Sequence, residues 1–166
     1  AHDVVRALND REDSPLYDEI KLLGVGRGRV AQAPLAQELK KLFATGTFTG
    51  RKSDMHEEAK KFFVNYFKQI ALVFGGAWNG RKYSIRSASA LRAFIRVAPD
   101  VVRRLDQEHA DRGDFRAIGR VISPWGRRIG DLRFETDGAW KRSGTTVDSL
   151  AKELRLALQY PEGASV

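Results

Sequence analysis

Between Asp54 and Phe74, apolar side chains return at steps of three and four. Met55, Ala59, Phe62, Phe63, Tyr66, Phe67, Ile70, Val73 and Phe74 form one stripe, and Glu57, Glu58, Lys60, Lys61, Asn65, Lys68 and Gln69 fall between them. The pattern predicts an amphipathic helix of about six turns, roughly 30 Å long, around which the rest of the chain packs. Ser53 or Asp54 is placed to cap its first amides, and the Gly75-Gly76 pair to supply a left-handed exit. Phe and Tyr at helical spacing mark a core stripe in preference to a stacking surface for a ligand.

Weaker patterns flank this one. Val4, Val5 and Leu8 lie on one side of an opening helix with no residue to cap it, so the chain reads as cut from a longer polypeptide. Ser14 and Pro15 predict a short helix presenting Leu16, Tyr17 and Ile20. The run GVGRGR lacks the third glycine of a dinucleotide fingerprint and the Lys-Ser pair of a P-loop, and reads as a flexible basic loop. A helix from about Pro34 buries Leu35, Leu39, Leu42 and Phe43 and stops at Gly46, and Trp78 is expected to close one end of the core.

The segment SASALRAFIRVAPDVVRRL sets Leu91, Phe94, Ile95, Ala98, Val101, Val102 and Leu105 against Arg92, Arg96 and Arg103. Pro99 predicts either a kink or two helices there, the second starting at the proline. FRAIGRVI is a further short helix before Pro124. Asp137-Gly138 signals a small hairpin or an irregular turn near 133–142. Thr146 then caps a last helix carrying Val147, Leu150, Leu154, Leu156 and Leu158, which stops at Pro161. The fold class is therefore mainly α: a compact multi-helix domain spanning 1–166, with a helical core in 1–110 and a C-terminal subregion in 111–160.

Composition narrows the chemistry. Of 166 residues 42% are hydrophobic, enough for one core without disulfides or metal. There is no cysteine, and His2, His56 and His109 lie far apart, so no metal site and no cofactor are expected. The sequence contains no signal-peptide pattern and no apolar run near the ~20 residues of a membrane span, so a cytoplasmic protein without membrane contact is expected. It also contains no HExxH, GxSxG or other convergent set of reactive groups, which argues against an enzyme, a nuclease included.

Charge is uneven. Residues 75–166 hold 17 Lys and Arg against 11 Asp and Glu, whereas residues 1–74 hold 12 against 10. From Asn79 to Arg104 seven cations face one acid, Asp100. Such a region is either a solvated helix face or a surface for an anionic partner, most simply nucleic acid.

Four pieces, VVRALNDREDSPLYDEIKL, NYFKQIALVFGGAW, YSIRSASALRAFIRV and RFETDGAWKRSGTTVDSL, occur in an order and spacing that resembles the C-terminal half of the DGQHR-domain proteins. That family includes the regulatory protein of bacterial DNA phosphorothioation systems. The DGQHR signature and the ParB-like domain around it are absent from the sequence. The resemblance implies the helical C-terminal part of such a protein, association with DNA and, in some members, regulation of transcription at a modification locus; it carries over no catalytic residue.

The expected function is thus a DNA-binding or DNA-binding-support module of a bacterial DNA-modification or defence regulator. Phosphate contacts are assigned to Arg81, Lys82, Arg86, Arg92, Arg96 and Arg103, with Arg127 and Arg128 extending the set. A helix-turn-helix variant, with 87–98 as recognition helix and 133–142 as wing, requires Arg92 and Arg96 to be exposed together and not engaged in ion pairs. The rival expectation is a non-catalytic assembly module that packs on an upstream domain of the same protein or forms a homodimer, with Val4, Val5 and Leu8 as its open apolar face.

Overall fold

The structure is a computed structural model that describes residues 1–22, 28–136 and 146–158. It is mainly helical. In chain order the elements are α1 (His2–Asp10), β1 (Ile20–Lys21), β2 (Val30–Ala31), α2 (Gln32–Ala44), α3 (Lys52–Val73), α4 (Gly75–Asn79), α5 (Ala88–Gln107), α6 (Phe115–Ile122), α7 (Pro124–Arg128), a 3-10 turn (Asp131–Phe134) and α8 (Val147–Leu158). The buried residues from Val4 to Leu158 form one continuous cluster.

Two long helices organise it. α3 packs against α1 and α6, and α5 packs against α2, α6 and α8. Where they meet, the aromatic residues of α3 continue into a shared ring cluster: Phe67 and Phe74 pack against Phe94 of α5, which also touches Trp125 and Phe134. Burial of these rings stabilises the meeting of the two helices, at about 25 cal/mol per Å² of apolar surface. The Tyr66 hydroxyl, sealed in this core, donates to the Phe94 carbonyl at 2.7 Å. The polar side of α3 is not left to water. Asn65 donates to the Gly113 carbonyl and Gln69 to the Phe115 carbonyl, each at 2.8 Å, so two amides tie α3 to the start of α6. Gly119 makes that approach feasible: a Cβ there would lie 2.6 Å from the Gln69 amide.

Several expectations are corrected. Residues 12–18 form turns and not a helix; Ser14 accepts from the Leu16 amide at 3.2 Å, and the chain then enters β1, which pairs in parallel with β2. Neither Ser53 nor Asp54 caps α3, because the helix already begins at Lys52, behind Arg51, and both residues lie in its first turn. Gly75 and Gly76 do not form a left-handed exit. Phe74 ends the helix with φ −111° and ψ 41°, and the glycines start α4, with Gly76 against the Asp131 carboxylate.

Pro99 divides nothing: α5 is one helix of 20 residues. Val97, Ala98, Val101 and Val102 are buried on both sides of the proline, and packing there outweighs the lost amide bond. The expected hairpin or irregular turn near 133–142 lies largely outside the described residues, which stop at 136 and resume at 146; just before it, Asp131–Phe134 is a 3-10 turn and Glu135 bridges Tyr83 in antiparallel fashion. Leu156, placed on the apolar side of the last helix, is 48% exposed. The cap of that helix is as expected: Thr146 accepts from the Ser149 amide and Ser149 accepts from the Thr146 amide, both at 3.1 Å. No helix among the described residues is long and apolar enough to cross a membrane.

Candidate nucleic-acid interface

Residues 88, 92, 96, 99 and 103 follow one another at helical spacing along α5, so Arg92, Arg96 and Arg103 do share a face. That face does not open to solvent as a whole, because α2 and α8 flank it. Glu38, on α2, is almost completely buried beneath it. Arg92 donates to the Glu38 carboxylate from Nη2 at 3.1 Å, and Arg96 reaches both of its oxygens as well as Asp148 on α8. Burial alone would raise the Glu38 pKa, but the hydrogen bonds and charge of Arg96, then Arg92, and the field of Lys41 outweigh it and hold the carboxyl below its ordinary range. The same contact holds the Arg96 guanidinium charged.

This is a brace between α2, α5 and α8. The requirement of the helix-turn-helix assignment, two free guanidinium groups on 87–98, is not met, and the recognition-helix assignment falls with it. The physical reason lies in α2: Glu38 occupies an i+3 position of its apolar stripe, after Leu35 and before Leu42, so folding drives a carboxylate inward and two arginines must follow it.

The other assigned cations separate into three places. At the start of α5, Arg81 and Lys82 are exposed and Arg86 is half-buried; Lys82 pairs with Glu135 and Arg86 with Glu19, each at 3.1 Å. Arg81 has no ion pair or hydrogen bond among the described residues. Near the far end of α5, Arg103 pairs loosely with Asp100 at 3.3 Å, and Arg155 of α8 reaches the same carboxylate at 3.0 Å. These residues, with Lys41 and Arg96, border a hollow of about 400 Å³ whose floor includes Glu38. Arg127 is exposed on α7, and Arg128 borders a separate hollow beside Glu153 and Leu156 of α8.

The start of α5 is the most coherent of these places. Arg29, Arg81 and Arg86 line a hollow of about 310 Å³ together with Ser84, Ser87 and the acidic Glu19, which pairs with Arg86. Ser87 caps α5 by accepting from the Ala90 amide at 3.2 Å, and with Ala88 it lines the hollow, so the positive end of a 20-residue helix borders it. Arg29 was legible only as part of a basic loop. What places it is Gly28, whose Cα passes so close to Glu19 that a Cβ would lie 2.5 Å from the Glu19 carbonyl. The parallel pairing of β1 with β2 thereby carries Arg29 to the mouth of a pocket built 50 residues later.

The assembly reading loses its first surface. Val4, Val5 and Leu8 are at most 1% exposed, packed inside this chain's own core. Exposed apolar side chains elsewhere include Leu72 and Phe115, beside a hollow of about 500 Å³ over Trp78. Among the described residues no three His, Asp or Glu side chains converge to hold a metal ion. No family model matches the chain, and comparison with curated proteins and with solved structures gave no match.

Proposed function

We propose that the chain is a DNA-binding or DNA-binding-support module of a bacterial DNA-modification or defence regulator, and that it contacts phosphates at the start of α5. Arg29, Arg81, Lys82 and Arg86 are the contact residues, with Arg103 an outlying one near the other end of the helix. Arg92 and Arg96 act as internal braces. The observation that carries the reading is Arg81: exposed, without an acidic partner among the described residues, and set with two further arginines around one hollow at a helix N-terminus. Arginine forks and first-turn amides are the donors that phosphate oxygens accept from. The resemblance to DGQHR-domain proteins supplies the choice of DNA over other polyanions, and the reading assigns the chain no catalytic role.

Binding through three or four phosphates gives log Kobs against log salt a slope of about −3. Fluorescence anisotropy with a labelled duplex is expected to show that slope, and Arg81→Ala to flatten it by about 0.9. Binding that ignores salt, or that persists unchanged when Arg29 and Arg81 are both replaced, would remove the reading. The assembly alternative rests now on the Leu72 and Phe115 surface, and it gains if the chain self-associates or captures its upstream domain while showing no affinity for duplex.

A further inference from the structure

The hollow at the start of α5 gathers three arginines and the first amides of a helix around one space, with Glu19 on its wall beside Arg86. An internal phosphodiester presents two non-bridging oxygens and a single charge, with chain leaving on both sides; it lies across a surface. A phosphomonoester presents three oxygens, carries about −1.5 to −2 charge at neutral pH, and has only one substituent. It can enter a concavity.

The hollow is of the second kind. Its volume, about 310 Å³, is at the small end of the range for enclosed ligand sites. Arg29 reaches it from the strand side, and Arg81 and Arg86 from the connection between α4 and α5. Arg86 donates one Nη1 bond to Glu19, and no second acceptor occupies the rest of its fork among the described residues. Arg29, like Arg81, is exposed and has no partner among them. The Ala88 and Ser89 amides likewise have no hydrogen-bond partner among the described residues, since Ser87 satisfies only the Ala90 and Leu91 amides. Lys82 does not compete for the site, because its ammonium pairs with Glu135 and lies 5.4 Å from the Tyr83 ring centroid.

We infer that this hollow is a phosphomonoester pocket, in which Arg29, Arg81 and Arg86 and the first amides of α5 hold the terminal phosphate of a nucleic-acid strand. The inference rests on the phosphate-contact reading above and narrows it from backbone to strand end.

The test is anisotropy with a labelled oligonucleotide prepared in two forms, ending in phosphate or in hydroxyl, titrated with the wild-type chain, Arg81→Ala and Arg29→Ala. Both side chains are exposed and unpaired among the described residues, so both variants are expected to fold, and circular dichroism checks this. The wild type should prefer the phosphate-ended form by roughly tenfold, the worth of one more charge-assisted hydrogen bond, and each variant should lose that preference. Adenosine monophosphate as competitor separates the sources. Displacement only by phosphate-ended strands assigns the pocket to nucleic-acid ends, and equal displacement by the mononucleotide assigns it to a free phosphomonoester, overturning the strand-end assignment. Equal affinity for the two forms, weakened alike by Arg81→Ala, overturns the pocket and leaves the backbone surface standing. Absence of binding to either form overturns both.

Discussion

Glu38→Ala is expected to destabilise the chain by about 3 kcal/mol, the lower part of the range for breaking one side of a buried ion pair. The carboxylate is 3% exposed, and its removal leaves Arg92 and Arg96 facing each other without the charge that holds them. Both arginines keep part of their surface in water, and Arg96 keeps Asp148, which places the cost at the lower end. For a chain of this length the loss corresponds to a fall in Tm of roughly 6–12 °C. Replacing all three residues with methionine should recover most of it, since an apolar cluster of similar volume needs no counter-charge. A Tm change below about 2 °C for Glu38→Ala would show that the brace does not hold the helices.

The pH dependence follows from the same group. Its pKa is held below the unfolded value, so its contribution is fully present above the unfolded carboxylate pKa of about 4.3 and is lost as pH falls through the folded one. The deficit of Glu38→Ala relative to the wild type should therefore be smaller in strong acid than at neutral pH.

Trp125→Ala is expected to cost about 4 kcal/mol. Trp125 is the largest fully buried side chain, its ring centroid lies 5.7 Å from that of Phe94 and 6.1 Å from that of Tyr66, and its indole donates to the Leu154 carbonyl at 3.0 Å. It therefore ties α7 to α8 and both to the α3–α5 ring cluster. Deleting it opens a void that neighbours on three other elements cannot all close. Trp125→Phe keeps much of the ring packing but not the hydrogen bond, and should cost about half as much. Urea denaturation would check both, with the midpoint lowered and the slope unchanged; a loss under 1 kcal/mol for the alanine variant would contradict the packing described.

Which parts of this were legible in the sequence follows from where each determinant lies. The α3 stripe, the buried face of α5, the FRAIGRVI helix and the Thr146 cap are local patterns, written within one or two turns of chain, and the helices stand where those patterns put them. The failures come from tertiary contact. Pro99 was read by its local cost, but buried residues before and after it hold α5 continuous. Ser14 and Pro15 have the residue types of a helix start, and they form a turn because Leu16 and Ile20 are drawn into the core and the chain pairs β1 with β2. Arg92 and Arg96 had the spacing of an exposed basic face. The residue that decides their fate, Glu38, lies 54 and 58 positions away, and its only local sign is its place inside an apolar stripe. Arg29 likewise joins Arg81 and Arg86 through β pairing that no periodicity announces.

Phosphate is expected to be met at the start of α5 and not along the Arg92–Arg96 face of that helix. The most direct test is amide chemical-shift mapping of the 18.6 kDa chain on titration with a short duplex. The largest shifts are expected at Arg81, Ser87, Ala88 and Ser89 and at Arg29, with the amides of Arg92 and Arg96 moving little. Shifts concentrated on α7 around Arg127, or at Leu72 and Phe115 with the start of α5 silent, would contradict it.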